Sequence, residues 1–117
     1  MPARHLARDL AIACGLRLVD QTKLVTAVSE LARNTVVYGG GGTMTARVID
    51  EDGRAGVELV FRDRGPGITD VERAMTDGYS TGAGLGLGLG GARRLVHEFS
   101  LDSAAGEGTT VRVVRWR

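Results

Sequence analysis

The 117-residue chain has a single cysteine, Cys14, and only two histidines, His5 and His97. A lone cysteine cannot close a disulfide within the chain, which fits a reducing, cytoplasmic setting. One cysteine and two distant histidines also cannot build a structural zinc site of the usual kind. No apolar stretch approaches the roughly 18 residues of a membrane-spanning helix. The first residues lack the apolar core of a signal peptide. The net charge is only +1, so neither nucleic acid nor an anionic membrane is expected as a partner. Lysine is nearly missing as well: Lys23 stands against fourteen arginines, a bias from which no function is drawn. There is no internal repeat, linker or low-complexity tail.

What is present describes one domain over residues 1–117. Hydrophobic residues make up 43% and charged residues 25% of the chain, ordinary values for a soluble globular protein. A chain of this length buries roughly 65% of its unfolded surface, enough for one core. Leu6, Leu10, Ala13 and Cys14 recur at helical spacing over residues 3–14, with Gly15 as a stop. A second helix is expected from Asp20, as N-cap, to Tyr38, with Leu24, Ala27, Val28, Leu31, Thr35 and Tyr38 on its apolar face. Gly39 to Gly42 end it. Thr43 to Asp50 and Val57 to Arg62 alternate like strands, and Asp52-Gly53 supplies the hairpin turn. Thr69-Asp-Val-Glu72 reads as a capping box opening a short helix. A further helix over 88–99 would turn Leu89, Ala92, Leu95, Val96 and Phe99 inward, and a last hairpin joins 101–105 to 109–116. Strands in hairpins with helices between them predict an α+β fold, a two-layer sandwich with a mostly antiparallel sheet covered by helices on one face.

The run from Gly82 to Gly91 holds six glycines in ten residues and leads into a helix. Such a backbone can approach a ligand closely with its N–H groups turned inward, at the positive end of a helix dipole. The design suits phosphate. Gly86, Gly88 and Gly91 match G-x-G-x-x-G, but residues 77–82 cannot form the buried strand that a dinucleotide site needs before it. A P-loop is excluded because Lys23 lies about 60 residues away, and the H-R-D and D-F-G segments of bilobal kinases are missing.

Two other constellations carry possible chemistry. Glu30 and Asn34 are four apart, one turn above the other, at the flank of the apolar stripe. They fit either a solvated polar edge or an Asn oxygen for Mg²⁺ beside a carboxylate that orients a nucleophile. Asp63-Arg-Gly-Pro-Gly67 follows a strand. It fits a plain turn, or a tight pocket floor whose carboxylate accepts a hydrogen bond from an exocyclic amine.

In this order and spacing the three segments resemble the GHKL ATPase and kinase superfamily, which binds nucleotide in the Bergerat fold. Glu30-Leu-Ala-Arg-Asn34 corresponds to its E-x-x-x-N box, and Asp63-Arg-Gly-Pro-Gly67 to D-x-G-x-G. The segment around Gly84, Gly86 and Gly88 corresponds to G-x-G-x-G, and Gly108-Thr109 to a final Gly-Thr. Within the superfamily the chain is similar to the small switch-protein serine kinases of bacterial partner-switching systems and the stressosome, with anti-sigma kinases as relatives. The stretches Glu30–Tyr38, Gly84–Phe99 and Gly106–Trp116 carry that similarity. It departs at the start, where Met1-Pro2 leads almost at once into a helix and the family's N-terminal edge strand is expected to be absent.

The resemblance implies ATP and Mg²⁺ as cofactors, with Glu30 as catalytic base and Asn34 as the magnesium ligand. Asp63, with a water shared by Thr109, would meet the adenine amine, and Gly65, Gly67 and Ile68 would lie along the base. Gly84, Leu85, Gly86, Leu87 and Gly88 would hold the phosphates, and residues 69–84 would form a lid. Phosphoryl transfer depends on positioning and charge stabilisation more than on base strength. The implied activity is transfer to a serine on a STAS-domain antagonist or scaffold protein. Release from that scaffold would free the kinase to activate an effector, typically a PP2C-type phosphatase. Arg93 and Arg94 are candidates for phosphate or partner contact, or form a solvated helix face. The alternative is an ATP-gated binding regulator of the anti-sigma kind, in which the nucleotide only sets conformation.

Overall fold

The computed structural model describes residues 2–37, 40–65, 89–103 and 106–117. Helix α1 spans Pro2–Cys14 and helix α2 Leu18–Val37, followed by strands β1 (Gly42–Glu51) and β2 (Arg54–Asp63). Helix α3 (Leu89–Arg94), strand β3 (Glu98–Ser103) and strand β4 (Thr109–Trp116) complete the order. The strands form one antiparallel sheet in the order β1-β2-β4-β3. This is the expected α+β arrangement.

Local chemistry accounts for the boundaries. Helix α1 ends in a Schellman cap: Gly15 takes φ +88°, its N–H donates to the Ile12 carbonyl (3.0 Å), and the Leu16 N–H donates to the Ala11 carbonyl (2.9 Å). The β1–β2 hairpin closes through Asp52 (φ 54°) and Gly53 (φ 76°), the two positive φ values of a type I′ turn.

Two expectations about helices need adjustment. Helix α2 starts at Leu18, so Asp20 lies in its first turn and is not an N-cap. Its carboxylate instead accepts from Arg115 Nη2 at 2.6 Å and stands 3.5 Å from Arg17 Nε. The helix expected over 88–99 ends at Arg94, because His97 already donates its N–H to the Val114 carbonyl (2.9 Å) and Glu98 and Phe99 pair with Val114 and Val113. Leu95, Val96 and Phe99 satisfy both the helical and the strand pattern, and the open edge of β4 decides for the strand. At the N-terminus, α1 begins at Pro2 with no strand before it among the described residues, and β1 pairs only with β2 there. The capping box at 69–72 lies outside the described residues.

The sheet has two unlike faces. Val57, Leu59 and Phe61 of β2 and Val111 and Val113 of β4 turn to the helices. There they close a core with Ala7, Ala11, Leu24, Ala27, Val28, Leu31, Leu89 and Ala92. The small Ala7 and Ala11 let α1 come close to this layer. The outer face carries an ionic lattice. Glu58 binds Arg47 Nε at 2.6 Å and Arg112 Nε at 2.8 Å, and Arg112 reaches on to Glu98 at 3.4 Å. Trp116 lies beside it, its indole N–H on Glu98 (2.7 Å) and the Arg54 guanidinium 5.7 Å from its ring centre. Val114 is fully buried beneath these groups, and Glu58 is only 8% exposed.

The Arg47 and Arg112 guanidiniums hold the Glu58 carboxyl below its ordinary value against the opposing effect of burial, and the Arg115 bond does the same for Asp20. A carboxyl whose folded value is depressed contributes stability above its unfolded value, near 4.3 for Glu. That contribution is lost as the pH falls through the folded value. Urea unfolding between pH 6 and 3 is therefore expected to show stability falling on the acid side, and Glu58→Gln is expected to fall less steeply. Parallel profiles for the two proteins would contradict this role for Glu58.

Candidate functional site

Of the polar residues singled out in the sequence, Asp63 and Thr109 meet at one end of the sheet, and helix α2 approaches the same end through Thr35. Along its helix-facing side the register gives successive cross-strand rows: Val48–Val57–Arg115, then Ala46–Leu59–Val113–Phe99, then Met44–Phe61–Val111–Leu101. The next row is Gly42–Asp63–Thr109–Ser103. The apolar layer thus ends in two hydroxyls and a carboxylate side by side, with a glycine at the β1 position.

Two glycines make that row possible. Gly108 has φ +79°, and a Cβ there would collide with the Asp63 carbonyl oxygen and stand 3.0 Å from Arg64 Cα. Gly42 is as tightly placed: a Cβ would collide with the Arg62 carbonyl oxygen and lie 2.8 Å from Thr35 Cγ2. Helix α2 therefore passes over the same end of the sheet at Thr35, one residue beyond Asn34. The glycine segment expected only to end the helix also sets this approach.

Asp63 Oδ1 accepts the Gly65 N–H at 2.9 Å, an Asx turn that starts the loop after β2 and leaves the other carboxylate oxygen for a further partner. Thr109 Oγ1 lies 2.9 Å from Ser103 Oγ, which is also 3.0 Å from the Gly108 carbonyl. Glu30 and Asn34 are half-buried at the flank of the buried stripe of Leu24, Ala27, Val28 and Leu31. The Glu30 carboxylate lies 3.6 Å from Arg33 Nη2 and is 36% exposed, open to solvent and to an incoming group.

Of the expected site residues, the described part of the structure thus places Glu30 and Asn34 on α2, Asp63 and Gly65 at the end of β2, and Thr109 at the start of β4. Asp63 and Thr109 are direct cross-strand partners. Gly67, Ile68, Gly84, Leu85, Gly86, Leu87 and Gly88 lie outside the described residues. Arg93 and Arg94 are exposed on α3. Ser103 shares this row with Asp63 and Thr109, and the sequence motifs do not single it out. Its signal is the strand period: Phe99 and Leu101 point inward, and Ser103 holds the next inward position with a hydroxyl.

Among the described residues no cluster of three His, Cys, Asp or Glu side chains could hold a metal ion, and no helix is long and apolar enough to cross a membrane. A divalent cation at this site would rely on a lone side-chain oxygen, with its other positions filled from the ligand and from water. That coordination suits magnesium.

Comparison with known proteins identifies the family and several relatives. Residues 19–117 match the family described as histidine kinase-, DNA gyrase B- and HSP90-like ATPase. The chain is 46% identical over 114 residues to the serine/threonine-protein kinase RsbT of Bacillus subtilis (strain 168), covering 97% of this chain and 86% of the relative. It is 34% identical over 99 residues to an anti-sigma F factor of Geobacillus stearothermophilus, covering 79% and 66% of the two chains. An anti-sigma F factor of Caldanaerobacter subterraneus subsp. tengcongensis is 31% identical over 120 residues, covering 97% and 82%.

The two turn glycines at 106 and 108 share the same backbone demand but not the same surroundings. Gly106 has φ +77° and open space within 4 Å of where a methyl group would stand, whereas Gly108 abuts β2. Gly106→Ala is expected to cost about 1 kcal/mol from the positive φ alone. Gly108→Ala should cost at least about 2 kcal/mol more, read by denaturant unfolding. Equal losses would show that the contact with Asp63 is not a constraint.

Proposed function

This chain belongs to the histidine kinase-, DNA gyrase B- and HSP90-like ATPase family, and on that premise we propose that it is an ATP- and Mg²⁺-dependent protein-serine kinase of a partner-switching pathway. Its substrate is a serine on a STAS-domain antagonist or scaffold protein. When released from that protein, it activates an effector such as a PP2C-type phosphatase. The observation that carries the reading is the convergence of Asp63, Thr109 and the Asn34–Thr35 turn of α2 on one end of the sheet. Its similarity over 97% of its length to a protein-serine/threonine kinase supports the same reading.

In this account the free oxygen of Asp63 accepts from the adenine amine, and Thr109 holds a water beside it. Gly65 and Gly67 let the base lie close to the backbone, and Ile68 joins the ATP-binding residues. Asn34 lends its side-chain oxygen to Mg²⁺, which when bound neutralises charge on the phosphates. The backbone of Gly84, Leu85, Gly86, Leu87 and Gly88 takes the place of a P-loop lysine along the triphosphate. Glu30 orients the substrate serine and accepts its proton as the serine oxygen bonds to the γ-phosphorus and the bond to the ADP oxygen breaks. The 36% exposure of the Glu30 carboxylate suits a base that must meet a protein substrate.

The anti-sigma F factors among the relatives favour a second reading, an ATP-gated binding regulator without transfer. Glu30 separates the two, because binding alone does not require a base. Incubation with labelled ATP, Mg²⁺ and a STAS partner is expected to label a STAS serine. Tight ATP binding with no label transferred would favour the regulator. Glu30→Gln is expected to keep ATP affinity within a few-fold while transfer falls about 100-fold or more. Asn34→Ala should lose magnesium-dependent binding. Unchanged transfer by Glu30→Gln would remove Glu30 from the role of base.

A further inference from the structure

We propose that His97 is a proton-operated latch on the C-terminal end of β4: its neutral ring holds that end against the start of β3, and a further proton on the ring releases it. The latch is independent of the proposed nucleotide site, which lies at the other end of β4, at Thr109.

The device follows from one hydrogen bond. The Trp116 backbone N–H donates to His97 Nδ1 at 2.8 Å. A backbone N–H only donates, so Nδ1 offers its lone pair and the ring proton sits on Nε2. The imidazole stands where a longer sheet ladder would have a carbonyl. Strands β3 and β4 pair from Ser103–Thr109 to Glu98–Val114, and the His97 N–H still reaches the Val114 carbonyl at 2.9 Å. Before His97 the chain comes from α3, and the Leu95 carbonyl accepts from Arg115 Nη1 at 3.1 Å. The ring of His97 therefore takes the next donor along β4. Trp116 is only 8% exposed, and an amide in such a place is costly to leave unpaired.

A further proton must go to Nδ1, the nitrogen already in use. It turns the acceptor into a donor facing a donor, and the bond cannot survive that change. The surroundings oppose the proton. Burial first, then the guanidiniums of Arg115 on β4 and Arg54 on β2, hold His97 below its ordinary value, while the carboxylates of Asp20 on α2 and Glu98 on β3 act the other way. Both carboxylates are already engaged, Asp20 with Arg115 at 2.6 Å and Glu98 with the Trp116 indole N–H at 2.7 Å. His97 is nevertheless exposed, so protons from solvent reach it.

The sign of the pH dependence follows. A histidine whose folded value is depressed contributes stability in full above its unfolded value, near 6.5. That contribution is lost as the pH falls from there through the folded value. The window is less acidic than that of Glu58, so the two losses are separate. What loosens is the end of β4, where the Arg117 N–H donates to the Ala55 carbonyl at 2.8 Å and the Arg54 guanidinium stands 5.7 Å from the Trp116 ring centre.

Trp116 is the one tryptophan of the chain, so its emission reports on the latch directly. The test is an NMR and fluorescence titration of the full chain between about pH 7.5 and 5, the window around the ordinary histidine value. The Trp116 amide shift and the Trp116 emission are expected to change with the midpoint of the His97 ring signals, below about 6.5. Protection of the Trp116 amide from exchange, corrected for its intrinsic rate, should fall about tenfold or more across the step. His97→Asn offers an oxygen to the same N–H and does not titrate, and it is expected to keep the neutral-pH spectrum and lose the step. If His97→Asn shows no cooperative thermal transition, His97→Gln replaces it, and the wild-type titration decides by itself. Protonation of His97 with no change at Trp116, or the same step in His97→Asn, overturns the latch.

Discussion

The approach of Gly108 to the Asp63 carbonyl is the contact on which the proposed site depends, because it puts the start of β4 beside the end of β2 with no side chain between them. Without it the last cross-strand row could not form as it does. Asp63 would lose its neighbour Thr109, and the Ser103 bonds to Gly108 and Thr109 would lose their frame. Gly42 does the matching work on the other side, letting the Arg62 carbonyl and Thr35 of α2 close around β1. The Asp63 carboxylate and the Thr35 turn of α2 are therefore positioned by two absent side chains.

The two ends of the sheet's helix-facing side are built for different purposes. At one end Arg115 is closed into the structure by Asp20 and the Leu95 carbonyl, at 2.6 and 3.1 Å, with its side chain only 11% exposed. The Trp116 N–H donates to His97 Nδ1 nearby (2.8 Å). These polar groups are mostly spent on one another, although the buried Arg115 Nε has no hydrogen-bond partner among the described residues. At the other end Asp63 keeps an oxygen beyond the Asx turn, and on α2 the Glu30 carboxylate has, among the described residues, a long i, i+3 contact to Arg33. Stability is thus concentrated in the core, the outer-face lattice and the Arg115 end, while acceptors are left over at the Asp63 end.

Much of this is legible from residue order. The two N-terminal helices, the hairpin with its Asp52-Gly53 turn, the last hairpin and the buried stripe of α2 follow from period and turn chemistry, which act locally. The E-x-x-x-N pair and the Asp63 segment are legible by type and spacing. Local pattern fails where strand pairing competes with it. His97 to Phe99 read as helix because their apolar spacing is shared by both structures, and only the edge of β4 resolves the tie. Asp20 reads as a cap because its partner, Arg115, lies 95 residues away. The place of Ser103 in the end row is invisible because a lone serine says nothing until register sets it beside Thr109.

The central claim is that nucleotide is bound at the helix-facing end row of the sheet, and amide shift mapping tests it most directly. Titrating Mg²⁺ and ATP into ¹⁵N-labelled protein is predicted to move the resonances of Asp63, Gly65, Ser103, Gly108 and Thr109 together with those of Glu30 and Asn34. The amides of Arg47, Glu58 and Arg112 on the outer face should stay in place. Shifts centred on the outer face, or none at the Asp63–Thr109 row at saturating ATP, would contradict the account.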